Sequence, residues 1–438
     1  MHGEHIQQQP RSRTYLSAVI AAFVVLIVSL ALIFTFNPAR ALFTHQLAAT
    51  SVEKPVKKAL SKKSEVPAAH VPHHGKTANC SATDCVSLLV NGDLLFHAGL
   101  WNQYARNPSA ADGSAFDFTD LFASLKPYID ASDIAVCEFE TPIAHRGGPY
   151  SAYPIFAIPP EVVDAAAKVG YQGCTHATNH SWDQHADGIA LLRQEMQDHG
   201  LQQVGSYTSQ DQIKPMILHS ADGGPSIAVI TGTVSVNGLV PDEDWMIDRL
   251  RGREDPHHAA DVQRIVDQAK MAREEGADLV VFAMHSVQEY IDYADSWQVD
   301  SAHELADLGI FDLIYGAGSH SVQPIENYNN TWIIYGTGNT VTESAPAERI
   351  SNNQGMTARI TFAGYQGDRA SWHVQNIDWV GSANMRAGRY HWCSLGEDQP
   401  DGPCWSAQQD TAIRNRLQSV IYSKGADPNV VRPWKLNS

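Results

Sequence analysis

The sequence predicts an α/β layered domain with a second, more antiparallel sheet. Between residues 86 and 315, short apolar runs alternate with amphipathic, helix-length segments, as βα units do. Beyond residue 315 the helix-length periods stop, and 332–335, 357–362 and 372–377 read as strands, the last two alternating as antiparallel strands do. In addition, five polar clusters fall in a fixed order, mostly where an apolar run ends. They are Gly92-Asp93, Glu138 to Pro142, Asn179-His180 with Asp183, His285 with Glu289, and Gly316 to His320. Apolar runs stopped by Asp, Glu, Asn and His are buried strands whose C-terminal ends feed one polar crevice.

In chain order, 86–95 reads as a strand, 118–129 as a helix and 134–140 as a strand. A helix over 160–169 follows, then a short strand toward Thr175 and a helix over 185–199 whose core face includes Ile189, Leu192 and Met196. Next come a strand at 227–231, a helix at 259–275, a strand at 279–284, a helix at 299–308 and a strand at 311–315. An amphipathic helix at 408–422 closes the chain.

The first 79 residues differ in character. Residues 15–36 are uncharged and mostly apolar, long enough for a bilayer-spanning helix, and Arg11 and Arg13 before them favour a cytoplasmic N-terminus. The expected layout is a cytoplasmic tail at 1–14, a signal anchor at 15–36 and a disordered stalk at 37–79, rich in Ala, Lys, Pro, Ser and His. The main domain then spans 80–390, and a C-terminal extension 391–438. The whole chain carries a formal charge of −17, and because the first 79 residues are basic the remainder is near −23. So acidic an ectodomain excludes nucleic acid as a partner, since phosphate contacts need basic surface.

Six cysteines suit an exported chain. Cys80 with Cys85, and Cys393 with Cys404, bracket short loops fit to close local disulfides; Cys137 and Cys174, in apolar strand-like contexts, read as buried thiols. Carboxylate, amide and imidazole are the donors that hard and borderline divalent metals accept, and this set suits Mn, Zn, Fe or Mg alike. Singly, each residue also has an ordinary reading. Asp93 makes a strand-end cap, Asn179 a turn residue, His285 a hydrogen-bonded core histidine and Glu289 a solvated acid or a prop for Tyr290 or His285. His97, His176 and His185 read as bystanders.

Together the clusters resemble those of the CapA (PgsA) family, the poly-γ-glutamate capsule-biosynthesis proteins, from about Leu88 to Asn339. Gly92-Asp93 is similar to the family's opening Gly-Asp, and Glu138-Phe139-Glu140-Thr141-Pro142 to its Asn-Leu-Glu-Thr-Pro. Ala177 to Asp183 resembles Ala-Asn-Asn-His-x-x-Asp, His285 to Tyr290 resembles His-Trp-Gly-x-Glu-Tyr, and Gly316 to Pro324 resembles Gly-His-His-Pro-His-Val-x-Gln-Pro. Tyr335 to Asn339 resembles a Tyr-Ser-Leu-Gly-Asn turn. The resemblance implies a layered αββα sandwich like that of calcineurin-type metallophosphoesterases. It implies Glu140 bridging two ions, Asp93 and His320 on one, Asn179 and His285 on the other, His180 facing substrate as general acid or phosphate contact, and Asp183 orienting it. Gly318 stands where the family has a first histidine, and Leu95 where the wider phosphoesterases have another. One tightly held divalent ion at most is therefore expected.

Three functions compete. The first is a membrane-anchored, extracytoplasmic CapA-like protein supporting synthesis or export of an anionic polymer such as poly-γ-glutamate, beside a ligase and a small membrane subunit. The second is a cell-surface metal-dependent phosphoesterase, and the third a scaffold of the same fold without turnover.

Overall fold

In the computed structural model, residues 72–76, 80, 83–106, 114–343, 351–384, 389–399 and 402–436 are described. The expected tail and anchor, and most of the expected stalk, lie outside them. Among the described residues no helix is long and apolar enough to cross a membrane.

The strands are β1 (Asp84–Leu94), β2 (Ile134–Phe139), β3 (Gly173–Thr175), β4 (Gln202–Val204), β5 (Met216–His219), β6 (Ser226–Thr233), β7 (Leu279–His285), β8 (Leu313–Ala317), β9 (Ile325–Tyr328), β10 (Thr331–Ile334), β11 (Asn339–Val341), β12 (Gln354–Tyr365), β13 (Asp368–Asn384), β14 (Trp392–Ser394) and β15 (Val431–Pro433). The helices are α1 (Ala98–Asn102), α2 (Lys126–Asp130), α3 (Glu161–Val169), α4 (His185–Asp198), α5 (His258–Glu274), α6 (Ser296–Asp307) and α7 (Ala407–Ile421). One sheet runs β14-β13-β12-β1-β2-β3-β4, with β11 beside β1 and β15 beside β13; the other runs β5-β6-β7-β8-β10-β9. β1 to β4 are parallel, as are β6, β7, β8 and β10, while β12 to β14 and the edge strands β5 and β9 pair antiparallel.

Side-chain alternation along the strands builds four layers. Val86, Leu88 and Val90 of β1 share one core with Val229 of β6, Val281 of β7, and Leu313 and Tyr315 of β8, so the two sheets pack face to face. Leu89, between them, faces a second core with Val162 of α3 and Leu192 of α4. On the far side, Val280, Phe282 and Ile314 meet Ile265 of α5 and Leu305 of α6. Burying each such side chain stabilises by roughly 1.5–3 kcal/mol. The result is the αββα sandwich. Local signals set the helix ends: a capping box opens α6, with the Asp295 carboxylate accepting from the Gln298 backbone N–H at 2.8 Å and the Gln298 side-chain oxygen accepting from that of Asp295 at 3.0 Å.

Several expectations are corrected. The helix over 118–129 is two pieces, a 3-10 turn at Thr119–Phe122 and the short α2. Pro127, which has no N–H to continue a preceding helix, instead opens a new one. Cys80–Cys85 and Cys393–Cys404 are paired as expected, but Cys137 and Cys174 are not free thiols. They sit opposite each other on β2 and β3 and are disulfide-bonded, a pairing hidden by their separation of 37 in sequence. The end of the expected stalk packs on the domain: the backbone carbonyl of His73 accepts from Cys85 N–H at 2.6 Å, and Lys76 Nζ donates to the Ser132 carbonyl at 2.8 Å.

Candidate metal centre

The parallel strands of both sheets end on one side of the sandwich, and the polar clusters meet there. A register shift between Val90 and Asp93 breaks the β1–β2 ladder. Gly92 sits in it so close to the neighbouring chain that an added Cβ would lie 1.7 Å from the Gly338 carbonyl oxygen. Asp93, wholly buried, then bridges the sheets: its Oδ1 accepts from the Gly318 N–H and its Oδ2 from His320 Nδ1, each at 2.8 Å. Asn339 Oδ1, 3.0 Å away, shares that imidazole nitrogen. His320 has φ 53, a conformation uncommon for a side chain of this kind, and these partners hold it there. Its other nitrogen, Nε2, lies 3.7 Å from Glu140 Oε1 and 4.0 Å from Glu289 Oε1.

Glu138 and Glu140 are two residues apart at the end of β2 and so emerge on one face. Glu138 is hydrogen-bonded to His285 Nδ1, and His285 Nε2 lies 3.0 Å from Asn179 Oδ1. Metal binding at Nε2 requires the tautomer with Nδ1–H donated to the carboxylate, which aims the Nε2 lone pair and the amide oxygen at one place. Both oxygens of Glu140 are buried without any hydrogen-bond partner. A buried carboxylate in that state is costly unless a cation shares the space.

Charge tells the same story. Burial pushes the Glu138 carboxyl well above the usual carboxylate range, and the neighbouring Asp93 pushes it further. Burial also raises Glu140, against the pull of His320 and with the push of Asp93 and Glu138. His285 is held down to about 4, chiefly by burial. Burial opposes the charge on His320 too, but Glu140 and Asp93 outweigh it and raise the group to about 10. Two groups of potential ligands result, Asp93–Glu140–His320 and Asp93–Glu138–His285, each with its ligand atoms within 4.8 Å of one another. The donor set and the orphaned Glu140 oxygens fit a divalent cation.

All five residues expected as ligands, Asp93, Glu140, Asn179, His285 and His320, thus converge. His180 stands next to Asn179, with its Nδ1 bonded to Asp183 Oδ2 at 2.7 Å; that same oxygen accepts from the Phe156 N–H at 2.8 Å. The resemblance gave Glu140 to both ions, whereas here Asp93 is the residue common to both groups. Glu138 joins one group, although the sequence marked it only as a departure from Asn; its two-residue spacing from Glu140 was the signal. Asn339 stood in the sequence only as the end of the Tyr335–Asn339 turn, and Asn237 (Nδ2 3.5 Å from His180 Nε2) and Phe156 (edge-on to the His180 ring at 4.6 Å) carried no signal. His97, read as a bystander, lies edge-on to the Phe156 ring at 5.0 Å. His176 is a core histidine, its Nδ1 2.8 Å from Ser206 Oγ, and His185 begins α4 against Trp182. Glu289 lies 4.0 Å from His320 Nε2 and also bears on His285 through its charge.

The two departures have structural reasons. Gly318 has φ +80, and an added Cβ would lie 2.2 Å from the Ser286 carbonyl oxygen and 2.6 Å from His285 Cε1. No side chain fits there, and the residue contributes its N–H to Asp93 instead. Leu95 belongs to the apolar core on the outer face of the sheet.

Among curated proteins the chain is similar to PGA biosynthesis protein CapA of Bacillus subtilis, 27% identical over 224 residues, covering 50% of this chain and 56% of that one. It is equally similar to "Probable polyglutamine synthesis accessory protein Rv0574c" of Mycobacterium tuberculosis, 27% identical over 216 residues, covering 48% and 56%. The aligned stretch thus spans little more than half the length of these relatives. Among solved structures, calcineurin-like phosphoesterase YfkN of Bacillus subtilis aligns with 77% of this chain and 99% of its own at 13% identity, with a TM-score of 0.36, a distant likeness. The family described as "Bacterial capsule synthesis protein PGA_cap" matches residues 87–344, more than half of the sequence and all of the clusters above, and the chain belongs to that family.

Proposed function

We propose that this chain is a membrane-anchored, extracytoplasmic capsule-synthesis protein whose crevice holds a divalent metal ion and supports synthesis or export of an anionic polymer such as poly-γ-glutamate. The observation that carries the reading is the Asp93–Glu140–His320 group, inside the family match, with a buried carboxylate that no protein donor satisfies. The names of the relatives, PGA biosynthesis and polyglutamine synthesis, point to the polymer. Residues 15–36 would anchor the protein, and a ligase and a small membrane subunit would be its partners.

One ion is held more firmly than a second. Glu140 accepts no hydrogen bond and lies 3.7 Å from His320 Nε2, whereas Glu138 and His285 already satisfy each other. When bound, a divalent ion supplies Lewis acidity and a hydroxide at neutral pH. The chain's own residues do the rest. Asp93 and Asn339 fix the His320 ring, Glu138 fixes His285, and Asp183 holds His180 so that its Nε2 stands beside Asn237. A base or acid oriented in this way by a carboxylate suits hydrolysis of an anionic substrate. That dyad also favours a second reading, a cell-surface metal-dependent phosphoesterase. The test is complementation: in a strain lacking the gene, the wild-type copy should restore the surface polymer and Glu140→Gln should not. Full restoration by Glu140→Gln would contradict the reading, and hydrolysis of a phosphoester by the metal-loaded protein without any polymer phenotype would favour the second.

A further inference from the structure

β4 is the outermost strand of its sheet, and α4 packs beside it. Between them opens a cavity of about 490 Å³, a volume usual for a ligand site. Its lining is unlike the rest of this acidic chain: none of the residues that form it is a carboxylate. Arg193, Gln194 and Gln197 come from α4, Gln202 and Gln203 from β4, and Gln212 from the turn that follows. Among the described residues Gln197 makes no hydrogen bond. Gln194 and Gln202 donate their amide nitrogens to Asp198 Oδ1 at 2.8 Å and to the Ile217 carbonyl at 3.1 Å, which leaves their oxygens open. Gln212 accepts from the Thr208 N–H at 2.8 Å, which leaves its nitrogen open. Arg193 is half-buried; its Nη1 donates to Gln203 Oε1 and, at 3.0 Å, to the Ser206 carbonyl, and its guanidinium lies 5.7 Å from the centroid of the Tyr207 ring. It makes no ion pair among the described residues. A charge withdrawn from water is costly without a counter-charge, and the guanidinium fork matches a carboxylate.

We propose that this cavity is a second binding site, for a carboxylate-bearing polyamide such as a γ-linked glutamate chain, with Arg193 receiving a carboxylate and the glutamines the amide links. Each residue of such a chain presents one carboxylate, one amide N–H and one amide carbonyl. The cavity presents a guanidinium and open amide ends of both kinds, so donors and acceptors match in type. The cavity contributes none of the candidate metal ligands. It neighbours the crevice through His176, whose Nδ1 lies 2.8 Å from Ser206 Oγ and which feels the charges of both His285 and Arg193. The site rests on the polymer reading above and gives the protein a hold on the polymer that needs no metal.

The experiment is calorimetric titration of the purified full chain, in chelator, with a γ-linked glutamate tetramer and, separately, with an α-linked one. The proteins are the wild type, Arg193→Gln and Gln197→Glu, with thermal stability measured in parallel. The wild type should bind the γ-linked tetramer more tightly than the α-linked one, which carries the same groups at a shorter repeat. Losing a charged hydrogen bond should weaken binding in Arg193→Gln at least about tenfold. Gln197 is exposed and without hydrogen bonds among the described residues, so Gln197→Glu should keep the wild-type Tm, while its new carboxylate repels the ligand and weakens binding. A wild type that binds no γ-linked tetramer, or binds the α-linked one as tightly, overturns the site. So does a Gln197→Glu or a folded Arg193→Gln with wild-type affinity. The polymer reading is tested by complementation instead, so a chain that restores the polymer yet binds no tetramer sinks the cavity alone.

Discussion

Replacing Glu140 by Gln separates a ligand from a structural acid, because the two roles have opposite signs. In the metal-free protein Glu140 is a buried carboxyl that accepts no hydrogen bond, near Asp93 and Glu138 and 3.7 Å from His320 Nε2. Its proton is held in the folded state well above the ordinary value of 4.5 and released in the unfolded state. Through that window the folded chain binds more protons, so the stability of the metal-free protein falls as pH rises. Glutamine cannot ionise and abolishes this term. An unsatisfied buried group costs about 1–3 kcal/mol, so metal-free Glu140→Gln should be as stable as wild type at pH 7.5, or more stable by up to that amount. With metal present the order reverses. At a metal concentration of about 100 Kd the wild type gains about 2.7 kcal/mol, whereas a variant binding ~100-fold more weakly gains about 0.4 kcal/mol. A chain of this size shifts its Tm by roughly 2 °C per kcal/mol, so the wild type should gain about 5 °C and the variant about 1 °C. Differential scanning calorimetry with chelator and with added Mn²⁺ reads both arms. A Glu140→Gln protein that is strongly destabilised in chelator, or that keeps the full metal shift, would refute the reasoning.

Three further outcomes are expected. Acid should strip the ion, because the protons that Glu138 and Glu140 hold so readily compete with it; equilibrium dialysis across pH 4.5–8 should show uptake rising with pH, and pH-independent uptake would count against carboxylate ligation. On the phosphoesterase reading, Asp183→Asn should lower phosphoester hydrolysis while leaving metal content intact, since Asp183 touches His180 and is absent from both ligand groups; loss of metal in this variant would place the residue wrongly. Non-reducing thiol titration of the unfolded chain should find no free cysteine, and Cys393→Ser with Cys404→Ser should cost about 2–4 kcal/mol; titration of two thiols at Cys137 and Cys174 would break the third pairing.

Much of this arrangement was legible because burial and chemistry change at the same residues. β2, β7 and β8 are apolar up to the last one or two positions, and β1 runs Leu88-Leu89-Val90 before its polar end, where Asp93, Glu138, His285 and the loop to His320 begin, so strand ends and ligand candidates were one signal. What the sequence hid depends on partners distant in the chain. β4, β11, β14 and β15 are three residues each, too short for a period to register. The Cys137–Cys174 bond follows from strand register alone. Asp93 could not be recognised as common to both ligand groups before β8 and β2 were known to flank it, and His97 meets Phe156, distant in sequence, only through the fold.

The most direct measurement is elemental analysis of the purified full chain after exchange into metal-free buffer, compared with Asp93→Asn and Glu140→Gln. Because Asp93 belongs to both ligand groups and Glu140 is the ligand whose two oxygens accept no hydrogen bond, the wild type should retain about one divalent ion per chain and both variants almost none. A well-folded wild type that takes up no metal, or a Glu140→Gln protein that retains its ion, would contradict a metal centre at this crevice.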